Sequence, residues 1–231
     1  MDITRTPPSK VRDCSSCDLR LENIFCNVGG EALEILNRNK VVNHYRRGQY
    51  VFYAGNQPAG LYCVTSGVVK LETEGASGHG HILRVVQAGG VLGYRAFFAG
   101  GTYEASAVVH DDATICLIPK SSVMELVQKV PDVAFRLLSQ VAKELKIAEA
   151  RLCAQTDKNA AERIAEAVLF LKDHFSEQVW TRKEIAEWAG TTPETVMRCL
   201  AEFEDEGFIE QKGRRINVVN RSALIERANL A

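Results

Sequence analysis

The spacing of apolar residues changes along the chain and divides it into regions of different secondary structure. Between Val41 and Pro119, apolar and polar residues alternate, and glycines interrupt the runs at short intervals. Alternation is typical of strands with one buried face, and closely spaced turn signals are typical of an antiparallel sandwich or roll. Beyond residue 120, apolar residues recur at the spacing of helices. The pattern predicts an α+β chain in which an antiparallel β-roll precedes a mainly helical second half.

The longest predicted helix begins at Pro131 and runs to about Asp157. Its apolar positions follow a heptad rhythm at Leu138, Val141, Leu145, Ala148 and Leu152. This spacing is typical of the seam of a two-helix coiled coil, and packing against the chain's own roll is the alternative. We expect the seam to meet its copy in a second subunit, which predicts a symmetric homodimer.

Two short helices joined by a tight turn are predicted between Thr181 and Leu200. Gly190 ends the first helix, Thr192 is a good N-cap, and Pro193 takes the first position of the second helix. Two helices crossing steeply around small residues form a helix-turn-helix motif, whose second helix enters the DNA major groove. The sequence therefore predicts binding to double-stranded DNA, and an ordinary surface hairpin of helices is the alternative.

The outward face of the second helix carries the candidate DNA-reading residues. Glu194 and Arg198 are four residues apart and therefore share this face. Arginine can donate two hydrogen bonds to guanine, and a carboxylate can accept one from cytosine. Thr192 and Thr195, near the helix N-terminus, are placed to contact phosphates.

A hairpin is predicted after the helix-turn-helix, in GFIEQKGRRINVV, with its turn at Lys212-Gly213-Arg214. We expect Lys212 and Arg214 at this basic tip to contact phosphate. The chain has 28 basic and 29 acidic residues, a net charge of -1, so its overall charge does not indicate a polyanion partner. The DNA contact is therefore expected to be local rather than a general basic field.

Seven cysteines occur in the chain, and its N-terminus lacks an apolar signal region. No apolar run approaches the length of a membrane span. We therefore expect a cytoplasmic protein without a membrane partner, whose thiols are reduced or bound to metal.

Three cysteines lie close together near the N-terminus: Cys14, Cys17 and Cys26. The Cys-x2-Cys spacing lets two thiolates reach one metal or cluster, and a disulfide or an inert pair is the alternative. A thiol oxidoreductase would be a different class of function. The chain lacks a βαβ pattern near these cysteines and lacks an acid–base constellation, so we expect no enzyme activity.

An N-terminal β-roll, a long dimerisation helix and a C-terminal winged helix-turn-helix together resemble the CRP/FNR superfamily of bacterial transcription regulators. The motifs that carry the resemblance are Gly48, Gly67 in TSGVVKLE, Gly90 to Gly93, and GTTPETVMRCLAEFEDEGFI. It implies a cysteine segment at 1–28, a sensor roll at 29–130, a dimerisation helix at 131–158 and a DNA-binding domain at 159–231. It also implies a palindromic DNA site and RNA polymerase as a partner.

The resemblance assigns the base-reading roles to Glu194 and Arg198. Met197 stands where FNR-like members have serine, so the resemblance carries no preference for the flanking base. Cyclic-nucleotide binders of the family carry Gly-Glu and Arg-Ser in the ligand loop, where this chain has Tyr94 for the glutamate and Glu104-Ala105 for Arg-Ser. A buried Glu104 would repel a cyclic phosphate, so we expect no binding of cAMP.

The FNR branch holds an oxygen-labile iron–sulfur cluster on three N-terminal cysteines and one in the roll. The matching residues are Cys14, Cys17, Cys26 and Cys116, which implies a [4Fe–4S] cluster. Eight residues separate Cys17 from Cys26, more than in the FNR pattern, but a longer loop costs little entropy. Zinc or an iron-free thiol switch would use the same residues, and haem or another small molecule in the roll is a further alternative. Cys63 is expected to be a small core residue, and Cys153 and Cys199 are expected to be packing residues.

Overall fold

The computed structural model describes residues 13–17, 19, 23–25, 28–75 and 78–230. These residues fall into two compact units. The first comprises the chain up to Leu71 together with Arg84–Ala142, and the second comprises Glu72–Leu83 together with the chain from Lys143 onward.

The first part of the chain is rich in strands, and the second part is rich in helices. The strands are β1 (Val41–Tyr45), β2 (Tyr50–Phe52), β3 (Gly60–Glu74), β4 (Gly80–Gln87), β5 (Val91–Leu92), β6 (Ser106–Pro119), β7 (Ile209–Lys212) and β8 (Arg215–Val218). The helices are α1 (Gly30–Arg38), α2 (Tyr94–Ala99), α3 (Lys120–Lys129), α4 (Pro131–Asp157), α5 (Ala160–His174), α6 (Arg182–Ala189), α7 (Pro193–Asp205) and α8 (Arg221–Arg227).

The roll is a sheet in which the strand order is β1-β6-β3-β4, with β2 paired to β6 and β5 paired to β3. Strands β1 and β6 are antiparallel, with Val42 opposite Cys116. The antiparallel roll, the long helix and the C-terminal helix-turn-helix expected from the sequence are thus all present. Within the described residues, no helix is both long enough and apolar enough to cross a membrane.

Two strands are longer than the sequence pattern predicted. The runs on either side of Gly67 form the single strand β3, and the runs ASAVVH and ATICLIP form the single strand β6. Gly67 adopts a φ of +83°, and a Cβ on it would lie 2.3 Å from the Asp112 carbonyl oxygen. Glycine is needed at this point because the backbones of β3 and β6 approach too closely for a side chain. The expected break at Gly67 is therefore a bend within one strand.

The short helix α2 and the short strand β5 were not predicted from the sequence. Helix α2 begins at Tyr94, directly after Gly93 in a left-handed conformation. Its six residues are too few to show a helical period, so the apolar pattern cannot separate it from a loop.

Two apolar clusters stabilise the first unit. The helix-side core joins the N-terminal segment, α1, α3 and the start of α4 to one face of the sheet, and it includes Phe25, Leu36, Cys63, Ile118 and Leu137. The roll core fills the other face and includes Phe52, Tyr62, Leu92, Tyr103 and Ile115. Residues 61–64 of β3 alternate between the two cores, as the pleat of a strand requires.

Helix α4 leaves its predicted seam uncovered in the single chain. The exposed fractions are 64% for Leu138, 42% for Val141, 57% for Leu145 and 68% for Leu152. By contrast, Val133 and Leu137 on the same helix are buried in the helix-side core. The seam is therefore a separate apolar face of α4, distinct from the face that packs in the first unit.

Candidate nucleic-acid interface and cysteine site

The turn of the helix-turn-helix is built by local capping on both sides. Helix α6 begins with a capping box in which Thr181 and Glu184 satisfy each other's backbone N–H groups. It ends at Gly190, whose φ of 65° is left-handed and whose N–H donates to the Ala186 carbonyl. Helix α7 then begins at Pro193, after Thr192 accepts a hydrogen bond from the Thr195 N–H at 3.3 Å. These features agree with the turn predicted from the sequence.

The carbonyls at the end of α6 also receive hydrogen bonds from side chains outside the motif. Arg163 on α5 donates to the carbonyl of Ala189 at 2.9 Å, to that of Gly190 at 3.4 Å and to that of Lys158 at 2.6 Å. Gln155 on α4 donates to the Ala189 carbonyl at 3.3 Å. Positive charge at a helix C-terminus is favourable, so Arg163 both caps α6 and fixes the turn.

Arg151 makes a third connection to the same helix end. Its guanidinium donates to the Trp188 carbonyl at 2.9 Å and lies 4.3 Å from the centre of the Trp188 ring. It also donates to the carbonyls of Leu83 at 2.8 Å and Ile82 at 3.2 Å, both within the second unit. Burial lowers the pKa of Arg151 from its usual value. Sequence reasoning missed Arg151 and Arg163 because a lone arginine on a helix gives no sign of its distant partners.

The exposed face of α7 carries the candidate base-reading residues. Its buried side holds Val196, Cys199, Leu200 and Phe203. Arg198 is 72% exposed, and its Nε lies 4.0 Å from Glu202, one turn further along the helix. Glu194 is exposed, and hydrogen bonds from its own backbone N–H and from Thr192 lower the pKa of its carboxyl. The carboxylate is thus available as an acceptor, and Arg198 is available as a donor, on the same exposed helix surface.

The predicted hairpin is present as β7 and β8, with Lys212 opposite Arg215. Its turn contains Gly213, at a φ of +61°, and the exposed Arg214. Lys212 is 67% exposed and lies 3.1 Å from Glu210. The two candidate phosphate-binding residues of the tip are therefore both accessible to solvent.

Arg182 fixes this hairpin, the wing, to the helices. Its guanidinium donates to the carbonyls of Arg214 at 3.0 Å and Gly213 at 3.4 Å, and to the side chain of Gln211. Gln211 in turn donates from its side chain to Glu204 on α7 at 2.9 Å. This wing brace, formed by Arg182, Gln211 and Glu204, links α6, the wing and α7 into one hydrogen-bonded network. It could not be predicted from the sequence, because its members are seven or more residues apart in elements of different type.

The N-terminal cysteine segment is attached to the end of α1. Asn37 accepts hydrogen bonds from the Cys14 backbone N–H at 2.9 Å and from Lys40 at 2.7 Å, and it donates to Asp13 at 2.7 Å. The Lys40 ammonium lies 3.2 Å from the Cys14 sulfur. Burial raises the pKa of Cys14, and Lys40 offsets part of this rise. Asn37 and Lys40 were not identified from the sequence.

The structure brings Cys14 and Cys116 to the same side of the sheet, against the helix-side core. Burial raises the pKa of Cys63 well above its usual value. The thiols of Cys116, Cys14 and Cys17 add to this rise. Cys14 and Cys116 are partly buried and pack against the helix-side core. The fourth predicted ligand, Cys26, lies outside the described residues. Among the residues that the structure does describe, no three His, Cys, Asp or Glu side chains have the spacing of ligands to one metal ion.

The loop that would hold a cyclic nucleotide differs from expectation at Glu104. Its side chain is 82% exposed and pairs with Arg95 at 3.4 Å, so the expectation of a buried Glu104 is wrong. An ion pair in solvent avoids the cost of burying a carboxylate. Tyr94 is buried, and Arg84 donates to its hydroxyl at 2.6 Å. Of the two residues, Tyr94 is therefore the buried one and Glu104 is the exposed one.

Comparison with known proteins now identifies the family. Residues 42–130 match the cyclic nucleotide-binding domain, and residues 162–227 match the Crp-like helix-turn-helix domain. The fumarate and nitrate reduction regulatory protein of Escherichia coli K12 is 28% identical over 203 residues, covering 84% of this chain and 80% of the relative. The protein of the same name from Vibrio cholerae is 27% identical over 207 residues, covering 86% and 81%. The chain belongs to the CRP/FNR family of transcription regulators.

Solved structures of CRP/FNR regulators share the fold. A transcriptional regulator of this family from Thermus thermophilus is 26% identical, with a TM-score of 0.68, and the match covers 82% of this chain and 98% of that one. FixK2 from Bradyrhizobium japonicum has the same fold at 24% identity, with a TM-score of 0.73 over 81% of this chain and 96% of that one. As a CRP/FNR-type regulator the protein acts on transcription through its helix-turn-helix and is not an enzyme.

Proposed function

We propose that this regulator is a homodimer that reads a palindromic DNA site with Glu194 and Arg198 and is gated by an iron–sulfur cluster on Cys14, Cys17, Cys26 and Cys116. The observation that supports the gating is that Cys14 and Cys116 both pack against the helix-side core, although they come from distant parts of the sequence. The functional parts are the cysteine segment at 1–28, the sensor roll at 29–130, the dimerisation helix at 131–158 and the DNA-binding domain at 159–231.

For DNA binding, the exposed surface of α7 offers both kinds of base contact. Arg198 can bind guanine through two hydrogen bonds, and the ionised Glu194 can accept from cytosine. Thr192 and Thr195 at the N-terminus of α7, and Lys212 and Arg214 on the wing, would contact phosphates and set the position of the helix. By family resemblance we propose RNA polymerase as a protein partner and the cytoplasm as the location.

For dimerisation, the exposed seam of α4 is the surface that a second copy would cover. Leu138, Leu145 and Leu152 lie one heptad apart, and each is more than half exposed. Two copies of this face pack as a two-stranded coiled coil. Since every seam position is apolar, the dimer is expected to persist whether or not a cluster is bound.

For the cluster, the donor set is chemically suitable. Thiolates are soft ligands that suit iron–sulfur clusters and zinc, and the Lys40 ammonium beside Cys14 favours the thiolate form. A [4Fe–4S] cluster takes four cysteine ligands, so the predicted set has the right number. When bound, such a cluster supplies sensitivity to oxygen and to redox state.

The cysteine segment has a direct structural route to the dimerisation helix. Cys14 and Cys116 pack against the helix-side core, which also contains Val133 and Leu137 of α4. A shift of the cysteine segment would change the packing of these two residues. The seam on the other face of α4 would move with them. The spacing between the α7 helices of the two subunits would then change.

The DNA assignment is tested by comparing Arg198→Ala with Arg214→Ala on a palindromic site and on sites with one altered base pair. Arg198→Ala should cost about 1–3 kcal/mol and relax the preference at one base pair of each half-site. Arg214→Ala should weaken binding to all sites alike. The slope of the logarithm of the binding constant against the logarithm of the salt concentration should fall by about one. Unchanged binding and unchanged preference in Arg198→Ala would refute its role.

The cluster assignment is tested by anaerobic purification, followed by visible spectroscopy and by iron and sulfide assays. About four iron and four sulfide per chain are expected, with loss in air. Cys116→Ala should lose the iron, and Cys153→Ala, at an exposed position of α4, should retain it. Equal iron in both variants would defeat the ligand assignment, and zinc without sulfide would identify a zinc site instead.

Ultracentrifugation of aerobic and anaerobic protein tests whether the dimer depends on the cluster. We expect a dimer in both conditions. A monomer in air together with a dimer under anaerobic conditions would show that the cluster controls assembly rather than the shape of the dimer.

A further inference from the structure

Cys63 lies in the cysteine site but is not among the proposed ligands. It belongs to β3, and Cys116 belongs to β6, which is hydrogen-bonded to β3 in the sheet. The Thr65 hydroxyl donates to the Thr114 carbonyl at 2.9 Å, so Thr65 and Thr114 are neighbours across the two strands. Counting two residues back along β3 and two forward along β6 places Cys63 beside Cys116, as expected for antiparallel strands.

The two cysteines also project from the same face of the sheet. Cys63 is part of the helix-side core, and Cys116 packs against that core, whereas the adjacent positions Val64 and Ile115 belong to the roll core. Directly opposed residues on one face have Cβ atoms about 4.5–5.5 Å apart. A disulfide requires about 3.5–4.5 Å, so a small movement of the two strands is enough to join these thiols.

The exposure of the two thiols differs in a way that suits a stepwise oxidation. Cys116 is partly exposed, whereas Cys63 is only 7% exposed. An oxidant from solvent would therefore reach Cys116 first, and Cys63 would act as the resolving thiol.

We propose that Cys63 and Cys116 form a reversible cross-strand disulfide when the site holds no metal. With hydrogen peroxide as oxidant, the Cys116 thiolate attacks one peroxide oxygen, the O–O bond breaks, and a sulfenic acid and hydroxide form. The Cys63 sulfur then attacks the sulfenic sulfur, and the S–S bond forms as the oxygen leaves as water. In total, two thiols and one peroxide give one disulfide and two waters.

The disulfide would act as a lock on the proposed metal site. It removes Cys116 from the ligand set and joins β3 to β6, so metal cannot return until a thiol reductant opens the bond. The inference rests on the proposed function only in that a bound cluster would occupy Cys116. The disulfide itself is a property of the iron-free protein.

The test uses the full chain, purified in air and freed of iron with a chelator, then treated with hydrogen peroxide. Free thiols are blocked with iodoacetamide, disulfides are reduced, and the released thiols are labelled with a heavy iodoacetamide before peptide mass spectrometry. We expect the loss of about two alkylatable thiols per chain, with heavy label on Cys63 and Cys116 together. A linked peptide pair should be found in the unreduced digest.

Two variants separate the proposal from unspecific oxidation. In Cys63→Ala, Cys116 should progress to sulfinic acid because its resolving thiol is missing, whereas Cys153→Ala should form the link as the wild type does. Circular dichroism checks that both variants are folded, and the wild-type peptide map tests the proposal without any substitution. A link from Cys116 to Cys14 or Cys17, or a Cys63 that stays reduced, would overturn it. Failure of the cluster assay would leave this map unchanged, so the two proposals fail separately.

Discussion

The turn at Gly190 is held by caps from its immediate neighbours, whereas the backbone at Cys14 is held by Asn37, 23 residues further along the chain. The first arrangement combines short-range capping with side chains from α4 and α5, and many bonds converge on one turn. The second depends on one amide side chain and on the pairing of distant strands. The proposed DNA-reading surface therefore has many supports, and the proposed sensor has few. Regions of low local stability are the ones that can respond to a signal.

The largest loss of stability is expected from Arg163→Ala, which removes supports of the turn at Gly190. Removing this side chain leaves the carbonyls of Lys158, Ala189 and Gly190 without their charged donor. Hydrogen bonds to charged groups contribute about 1.5–3 kcal/mol, and we expect a loss of about 3 kcal/mol in the stability of the second unit. Both tryptophans of the chain, Trp180 and Trp188, lie in this unit, so their fluorescence during urea unfolding measures the change. The exposed Arg214→Ala is the matched control, and equal midpoints for the two variants would contradict the prediction.

A smaller loss is expected from Gly190→Ala. The left-handed φ of 65° penalises any side chain, and the new Cβ would lie 2.7 Å from the amide of Gln155. That amide is the end of a flexible side chain and can move, but it then stops donating to Ala189. We expect a loss of about 1–2 kcal/mol by tryptophan fluorescence and weaker DNA binding. Arg214→Ala, at an exposed position of the wing, is again the control and should leave stability unchanged. A harmless Gly190→Ala would mean that the turn is less constrained than its bonds indicate.

Asn37→Ala tests the other side of the comparison. It removes the acceptor for the Cys14 N–H and for Lys40, at an expected local cost of about 1 kcal/mol. Because the site is only partly buried, global unfolding should change little. Hydrogen exchange at residues 13–17 should accelerate, and iron uptake should fall. Asn39→Ala, at the C-cap of the same helix, serves as the control. Unchanged exchange at residues 13–17 would show that Asn37 does not hold the segment.

The smallest effect concerns acid sensitivity of the second unit. Two hydrogen bonds from Arg221, at 2.6 and 2.8 Å, lower the pKa of Asp173. The folded pKa lies below the unfolded value of about 3.9. This contribution is therefore complete above about pH 4 and is lost as the pH falls through the folded pKa. Asp173→Asn should be slightly less stable at pH 7, with a shallower loss of stability below about pH 4 in urea unfolding. Parallel curves for both proteins would exclude a role for this pair.

The features that were predicted correctly from the sequence are the ones that depend on neighbouring residues. The turn residues Gly190, Thr192 and Pro193 act on their own neighbours, and all three roles were predicted correctly. The bounds of α4 were also predicted, because a long apolar period and Pro131 define them.

The features that were missed depend on partners far away in the sequence. Arg163, Arg182 and Asn37 look like ordinary polar residues until the fold brings backbone carbonyls or N–H groups to them. The solvent position of Glu104 depends on its ion pair with Arg95, nine residues away, and spacing alone does not reveal it. Likewise, Cys63 looked like a simple core residue because strand register decides which cysteine lies beside it.

The wing brace has a consequence for the thermodynamics of DNA binding. Loops that become ordered only on binding lose conformational entropy at that moment, at about 0.5–1.5 kcal/mol for each immobilised side chain. In this protein, Arg182 and Gln211 fix the wing backbone to α7 during folding. If the wing contacts phosphates as proposed, it would do so already ordered, and the entropy loss would fall on folding instead of binding. For the full chain, tighter DNA binding and greater resistance to unfolding should then rise and fall together when this network is altered.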